Sequence, residues 1–402
     1  MTLLDLDNDP ICLVPGFSFA AMAAGIKKNG KPDLALIAAD GPVNVAAVYT
    51  RNLVRAAPVL VSEERTKRGT LRAVLINAGN ANACTGKPGL EAARATTLAV
   101  SKTLGCPVAE IAPASTGVIG AQLPTAKILA AIPSLTSALA PDGAFDVARA
   151  IMTTDQWPKV ARAQFAVGRK RATVLGIAKG AGMIHPDMAT TLGFLVTDAG
   201  ASPALLRAIL KRAVDATFNS ISVDGDTSTN DTIVLMASGL AGPVRANTKE
   251  AKRLEDAITE VLGDLGESIV RDGEGAQHVA RIEVVGAKSD ADARRAAKTI
   301  ATSPLVKTAM HGKDPNWGRI LAAAGRSGAR FDPAQAELTI EGHVVLKRGL
   351  PLGAEAEKPA AQAMLSPKYT IRLRLGRGPG AAHYLTCDLG SSYVAVNADY
   401  RS

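Results

Sequence analysis

The sequence predicts an α/β protein built in layers, with a β-rich C-terminal part. Short apolar runs typical of buried strands alternate along the chain with longer segments whose apolar residues recur every three or four positions. Beyond 291–302 this texture changes to alternating polar and apolar residues bounded by turn residues. A chain of 402 residues has the length of two domains, or of one large domain with an appendage.

Predicted strands are short and bounded by polar or glycine-rich segments. A hairpin is expected around Glu341-Gly342, because alternating residues flank this turn on both sides. The expected strands cover 34–37, 73–76, 173–177, 192–197, 231–236, 282–285, 370–375 and 384–387.

Predicted helices follow from apolar periodicity and from capping residues. The hydroxyl of Ser202 precedes one amphipathic run. Thr248 precedes another, which extends to Ile269. We expect the helix that starts at Thr125 to end at Pro133, and 349–363 to be a surface loop. Two more helices are expected over 89–104 and 291–302.

Composition narrows the classes of function. Aromatic residues make up 3% of the chain, which disfavours a surface that stacks nucleic-acid bases. The formal charge is +9, but lysine and arginine form no long basic block. This pattern favours a solvated surface that attracts anionic small molecules. The four widely spaced cysteines indicate free thiols in a reducing cytosol. Without an apolar run near the roughly 20 residues of a membrane span, we expect a cytoplasmic protein that binds neither membranes nor nucleic acid.

Familiar nucleotide, metal and hydrolase motifs do not fit. Gly86-Lys87 is followed by Pro88, where a phosphate loop needs Ser or Thr. The five histidines form no i, i+4 pair and no cluster with cysteine, so we expect no metal. Asp224-Gly225-Asp226 is better explained as a hydrogen-bonded turn than as a calcium loop. A Ser-His-Asp triad stays open, although no Gly-x-Ser-x-Gly elbow is present.

The junction Ala189-Thr190 is the most informative feature for function. It stands between a glycine-rich turn and an apolar run. A threonine hydroxyl is a poor nucleophile without a base, and a free α-amino group on the same residue can supply one. An internal threonine reaches that state by attacking the preceding carbonyl and cutting its own chain. Four polar clusters accompany the junction, at 77–83, 113–120, 219–232 and 307–319.

Together these segments resemble the glutamate N-acetyltransferase family of arginine biosynthesis, also called the ornithine acetyltransferase family. The resemblance extends over most of the chain and includes the tail Asn397-Ala398-Asp399-Tyr400. It implies an αββα-type sandwich similar to that of self-processing aminopeptidases. It also implies cleavage into an α chain of 1–189 and a β chain of 190–402, associated as α2β2. Within the β chain we place a boundary near residue 285, between a core continuation of 190–285 and a C-terminal domain of 286–402.

The resemblance also implies a mechanism of ping-pong acetyl transfer. The Thr190 hydroxyl takes the acetyl group from N2-acetylornithine, with its own α-amino group as base, and glutamate then accepts it. Thr116 and Gly117 match the family's oxyanion-stabilising pair. No cofactor is implied; bifunctional members also use acetyl-CoA as a donor, and the sequence leaves this open.

The resemblance also implies which residues contact the substrates. Lys179 would meet an α-carboxylate and Glu274 an ammonium, and Thr154 is preferred to its neighbour Thr153. Ser402 stands where the family often has a C-terminal threonine. The implied contacts are Thr154, Lys179, Thr190, Glu274, Asn397 and Ser402. Two other classes stay open: a self-processing N-terminal-nucleophile amidase or aminopeptidase, and a non-enzymatic binding protein of similar fold.

Overall fold

The structure is a computed structural model that describes residues 13–185 and 191–399. These residues form two sheets with helices packed against both, which confirms the predicted α/β, αββα-type layering. In chain order the described strands are β1 Phe17–Met22, β2 Leu34–Tyr49, β3 Thr70–Asn80, β4 Ile111–Val118, β5 Lys159–Val167, β6 Lys170–Lys179, β7 Leu192–Gly200, β8 Ile221–Ser222, β9 Thr232–Pro243, β10 Val279–Ala287, β11 Glu337–Ile340, β12 His343–Lys347, β13 Leu350–Pro351, β14 Lys368–Arg374 and β15 Gly380–Cys387.

The helices vary widely in length. None of those in the described part of the chain combines the length and the apolar character needed to cross a membrane. In chain order they are α1 Ala57–Thr66, α2 Gly86–Leu104, α3 Thr125–Ser137, α4 Ala144–Ala150, α5 Pro203–Ala216, α6 Lys249–Arg271, α7 Asp290–Ala301, α8 Pro304–His311, α9 Trp317–Gly325, α10 Ala354–Ala363 and α11 Ser391–Asp399.

The first sheet has the order β4-β3-β2-β9-β7-β6-β5, with β1 beside β2. Both faces are buried: the neighbours Val174 and Leu175 in β6 point to opposite sides, and each is fully buried. Helices α5 and α6 cover one face and α4 the other. The end of β6 pairs with the start of β7 (Lys179 with Leu192), and Leu192 also pairs with Thr232 at the start of β9. Several strand ends therefore meet at one edge, where the candidate site lies.

The second sheet has the order β13-β12-β11-β14-β10-β15-β8. Helix α7 packs on β10 and β15, and its buried alanines join a separate apolar core with β11, β12 and β14. The short strand β8 connects this sheet to the loop that enters β9 of the first sheet. Residue 285 lies inside β10, and the division into 190–285 and 286–402 stays a prediction.

Local capping and turn predictions are confirmed. Ser202 accepts a hydrogen bond from Leu205 N at 3.3 Å, and Thr248 accepts one from Ala251 N at 3.2 Å. The hairpin between β11 and β12 turns at Glu341 and Gly342, whose φ values of 46° and 82° lie in the left-handed region.

Two local predictions are wrong. Helix α3 does not stop at Pro133 but continues to Ser137, because Ile132 and Leu135 are buried on either side of the proline. Their burial offsets the one backbone hydrogen bond that the missing N–H removes. The segment 349–363 is not only a loop, since it contains α10; burial of Ala360 within the second core holds this helix in place.

Candidate active site

A cavity of about 400 Å³ opens where the ends of β4 and β6 approach the starts of β7 and β9. Thr191 lines it, and Thr191 is bonded directly to the predicted nucleophile Thr190. Thr190 itself lies outside the described residues, as do Ala189 and Ser402. All of the other predicted site residues line this one cavity: Thr116, Gly117, Thr154, Lys179, Glu274 and Asn397.

Gly117 lies where two backbones approach closely. Its φ is 130°, and an added Cβ would lie 2.3 Å from the carbonyl carbon of Gly79 in the neighbouring strand β3. The β3–β4 ladder is irregular at this point, because Asn80 pairs with both Thr116 and Val118. Only glycine fits here, so the backbone that carries Thr116 and Gly117 depends on the absence of a side chain.

Three of the four polar clusters meet behind this pair. Asn230 donates from Nδ2 to the carbonyls of Ala81, at 2.6 Å, and Ser115, at 2.8 Å. The Ser115 hydroxyl donates to Asn77 Oδ1 at 2.6 Å. Because these side chains are buried and hydrogen-bonded, they hold the strand ends around the cavity in one arrangement.

Lys179, the last residue of β6, reaches across to β4. Its ammonium donates to Thr116 Oγ1 at 3.1 Å and to Thr153 Oγ1 at 3.0 Å. Burial lowers the pKa of this ammonium, and the nearby Asp155 carboxylate opposes the shift. Since the Thr116 oxygen accepts from Lys179, its own O–H is free to donate to an oxyanion.

The structure distinguishes Thr153 from Thr154 by their hydrogen bonds. Both residues line the cavity, but Thr153 is the one that accepts a hydrogen bond from Lys179. Sequence reasoning preferred Thr154, whose role as a substrate contact stays a prediction.

Glu274 and Asn397 form another wall. Asn397 donates from Nδ2 to Glu274 Oε2 at 2.8 Å, and Glu274 N donates to the Ala181 carbonyl at 3.0 Å. A Cβ on Gly182 would lie 2.5 Å from the Glu274 carboxyl group. The glycine-rich turn after β6 therefore leaves room for this carboxylate, and α11 brings Asn397 to it.

The loop before β9 adds further carboxyl groups. Asp224 accepts from Met183 N at 2.5 Å and from Ile184 N at 2.9 Å. Its Oδ1 also accepts from Asp226 N at 3.1 Å, which confirms the predicted hydrogen-bonded turn over Asp224-Gly225-Asp226. Asp231 is buried, and burial raises its pKa well above the ordinary value. Its Oδ2 has no hydrogen-bond partner among the described residues, although the side chain lines the cavity. Within the described ranges no group of His, Cys, Asp and Glu could hold a metal ion.

The fourth polar cluster lies elsewhere. None of the described residues from 307 to 319 lines the cavity, and the turn predicted there is partly helical, since Lys307 belongs to α8. The buried Lys307 ammonium donates to Thr386 Oγ1 at 3.0 Å in β15, and Asn316 caps α9. This segment stabilises the second sheet.

Comparison with known proteins identifies the family. The model described as the ArgJ family matches residues 18–402. The arginine biosynthesis bifunctional protein ArgJ of Geobacter sulfurreducens is 49% identical over 391 residues, covering 97% of this chain and 100% of that protein. The chain belongs to the ArgJ family. The protein of the same name from Nitratidesulfovibrio vulgaris is 46% identical and covers 96% of this chain and 98% of its own length.

A solved ArgJ structure agrees with this membership. The crystal structure of the arginine biosynthesis bifunctional protein argJ from Bacillus halodurans matches with 39% identity and a TM-score of 0.50. The match covers 98% of that solved chain but 52% of this one. The solved chain is thus about half as long as this ArgJ-family chain.

Sequence reasoning did not select several residues that line this cavity. Thr153, Asp231 and Tyr393 line it. The Thr-Thr-Asp segment offered a signal for Thr153, which was ranked below Thr154, and the position of Asp231 at the start of the predicted strand 231–236 offered a weaker one. Nothing in the sequence indicates that Tyr393, far along the chain, reaches the same space.

Proposed function

We propose that this chain cuts itself between Ala189 and Thr190 and then acts as an acyltransferase of arginine biosynthesis. It transfers acetyl from N2-acetylornithine to glutamate, giving ornithine and N-acetylglutamate. One observation carries the proposal: a single cavity, one residue from Thr190, combines a cation, carboxylates and two candidate oxyanion donors. Membership of the ArgJ family supports the same reaction.

Processing creates the catalytic base. The Thr190 hydroxyl oxygen attacks the Ala189 carbonyl carbon, the peptide C–N bond breaks, and the nitrogen becomes the α-amine of Thr190. Water then hydrolyses the resulting ester, which releases the Ala189 carboxylate and restores the hydroxyl. A solved relative about half the length of this chain supports processing into two parts.

In the first half-reaction the Thr190 oxygen attacks the acetyl carbonyl while its α-amine takes the hydroxyl proton. The negative charge that develops on the carbonyl oxygen is stabilised by the Thr116 hydroxyl and the Gly117 N–H. The bond between the acetyl carbon and the ornithine nitrogen then breaks, and the proton passes to that nitrogen. Ornithine leaves, and the acetyl ester remains on Thr190.

In the second half-reaction the glutamate amine attacks the ester carbon and gives a proton to the Thr190 α-amine. The same oxyanion donors stabilise the second intermediate. The ester C–O bond breaks and the proton returns to the threonine oxygen, so that N-acetylglutamate leaves a regenerated enzyme.

The charges of the cavity suit both amino acids. The Lys179 ammonium pairs with the α-carboxylate that N-acetylornithine and N-acetylglutamate share. Glu274, held by Asn397, pairs with the side-chain ammonium of ornithine. Thr154 and Ser402 complete the substrate contacts in this proposal.

The proposal also covers the assembly, the location and the cofactor requirement of the protein. The two parts associate as α2β2 in the cytoplasm, and no metal or organic cofactor takes part. Because the relatives are named bifunctional, we include acetyl-CoA as a second acetyl donor to glutamate.

The test is the intact mass of the purified protein under denaturing conditions. We expect two fragments that meet at Ala189/Thr190 in the wild type and one uncut chain in Thr190→Ala, which also transfers no acetyl. The neighbouring change Thr191→Ser is the matched control and keeps the cut site. A wild-type chain that stays uncut after full maturation would contradict the proposal.

A self-processing amidase or aminopeptidase remains the alternative, because it would share the cleavage. The two differ in the acceptor. With labelled N2-acetylornithine, the acyltransferase moves the label into N-acetylglutamate, whereas a hydrolase releases it as acetate even when glutamate is present.

A further inference from the structure

A buried lysine behind the cavity joins the segments that carry the substrate contacts. Lys159 opens β5, and its side chain is fully buried. Its ammonium lies 2.8 Å from Asp155 Oδ1 and 2.5 Å from Asp272 Oδ2, and both of these carboxylate side chains are fully buried too. A buried cation is costly unless it is paired, so three charges in this position indicate a constraint on local structure.

Asp155 fixes two backbone segments at once. Its Oδ2 accepts from Thr153 N at 2.9 Å, and its Oδ1 accepts from Gly180 N at 2.6 Å. Thr154 lies next to Asp155 in the chain, and Lys179 precedes Gly180. Burial raises the pKa of Asp155, but Lys159, Lys179 and the hydrogen bonds outweigh it and lower the pKa to about 2, so the carboxylate stays charged.

Asp272 connects a third segment. It follows α6 and accepts from Gln156 N at 3.0 Å, which ties the end of this helix to the loop after Asp155. Glu274 stands two residues further along, and its backbone N–H bonds to Ala181 in the turn after β6. The ammonium of Lys159 is therefore the common partner of Asp155 and Asp272. Through the backbone hydrogen bonds of the segments around these two carboxylates, it connects 153–156, 179–182 and 272–274 indirectly.

None of the three charged residues is among the described residues that line the cavity. We propose that Lys159 is a positioning residue: by bridging Asp155 and Asp272 it sets the spacing between Thr154, Lys179 and Glu274, and thus the fit for an amino acid with charged groups at both ends. This inference rests on the proposed function for the identity of the substrate. Lys159 acts through the backbone and does not contact the substrate.

The decisive variant is Lys159→Met, which keeps the length of the side chain and removes the charge. We expect the KM for N2-acetylornithine to rise about tenfold or more, with a smaller fall in kcat, because small displacements of binding groups weaken the fit. Asp155→Asn should likewise raise KM more than it lowers kcat, since this change removes the ion pair and keeps the shape of the side chain.

The matched control is Asp198→Asn. Asp198 is also a buried carboxylate that accepts a backbone hydrogen bond, from Thr173 N at 2.7 Å, but it lies at the far end of β7 and does not line the cavity. This control should keep the wild-type KM. An unchanged KM in both Lys159→Met and Asp155→Asn, or an equal rise in Asp198→Asn, would overturn the positioning role.

The double variant Lys159→Met/Asp272→Asn distinguishes a loss of stability from a loss of positioning. It removes one charge of each sign, so the melting temperature should recover relative to Lys159→Met while the KM defect remains. Recovery of KM together with stability would show a purely structural role. Calorimetry of ornithine binding to all variants tests the positioning role of Lys159 without requiring catalysis. If the wild type binds ornithine but transfers no acetyl group, only the proposed function is contradicted.

Discussion

In the proposed mechanism Lys179 links substrate binding and catalysis. Its ammonium contacts the hydroxyls of Thr116 and Thr153, so the proposed carboxylate contact and the proposed oxyanion donor share one hydrogen-bonded unit. Burial lowers its pKa below the ordinary 10.5, so this ammonium loses its charge at a lower pH than a solvated lysine does.

A pH profile follows from this shift. With N-acetylglutamate as donor, kcat/KM should rise as the Thr190 amine, with a reference pKa of roughly 7.7–8.0, loses its proton. It should fall again at a pH below 10.5, because the deprotonated Lys179 no longer attracts a carboxylate. Lys179→Arg, which stays protonated, should lose the alkaline limb. An identical limb in both proteins would assign it to another group.

Single residues also mark the limit of sequence reasoning. Thr116, Lys179 and Glu274 were found through resemblance to a family, and their charges and hydroxyls make chemical sense of that assignment. Lys159 could not be found in this way, because a lone lysine is usually solvated and its two carboxylate partners are set by the fold.

At the scale of elements, α11 is a separable wall of the cavity. It brings Tyr393 and Asn397 to the site, yet most of its residues are exposed. Val394, for example, is 65% exposed and does not line the cavity. The helix thus contributes contacts to the site and little to the core.

Truncation after Gly390 tests this division. We expect the melting temperature to change by only a few degrees, since little apolar surface is lost, while KM for N2-acetylornithine rises about tenfold or more because Asn397 no longer holds Glu274. The point variant Val394→Ser should keep wild-type values of both. A large loss of stability on truncation, or an unchanged KM, would contradict the assignment.

Elements were predicted well where local signals decide them. Helices α5 and α6 have hydroxyl caps and clear apolar faces, and the β11–β12 turn has a glycine in the required position. Helix α10 was missed because its Pro/Ala/Glu-rich composition, with Pro359 inside it, indicates a loop. Its burial against β12 is a tertiary contact, which a local pattern does not contain.

For the whole molecule, the proposed cut falls inside one sheet. Strands β1 to β6 precede it and β7 and β9 follow it, yet β6 pairs with β7 and β2 pairs with β9. The apolar clusters on both faces of this sheet also combine residues from both sides of the cut. Cleavage would therefore leave the two parts joined by backbone hydrogen bonds and by a shared core.

Native size is the corresponding measurement. We expect both fragments to elute together as one particle with the mass of two 41.4-kDa chains, and to separate only in denaturant. Uncut Thr190→Ala should have the same native mass. Separate elution of the fragments would contradict the shared-sheet argument, and a particle of one chain mass would contradict α2β2.

The sequence by itself determined the layered α/β class, most strands and capped helices, and the resemblance that points to acetyl transfer, because each rests on local patterns or on residues in a characteristic order. The tertiary structure alone decided which polar clusters meet. It joined 77–83, 113–120 and 219–232 at the cavity and put 307–319 in the second sheet. It also paired Lys159 with Asp272, since contacts between residues far apart in the chain depend on strand order and packing.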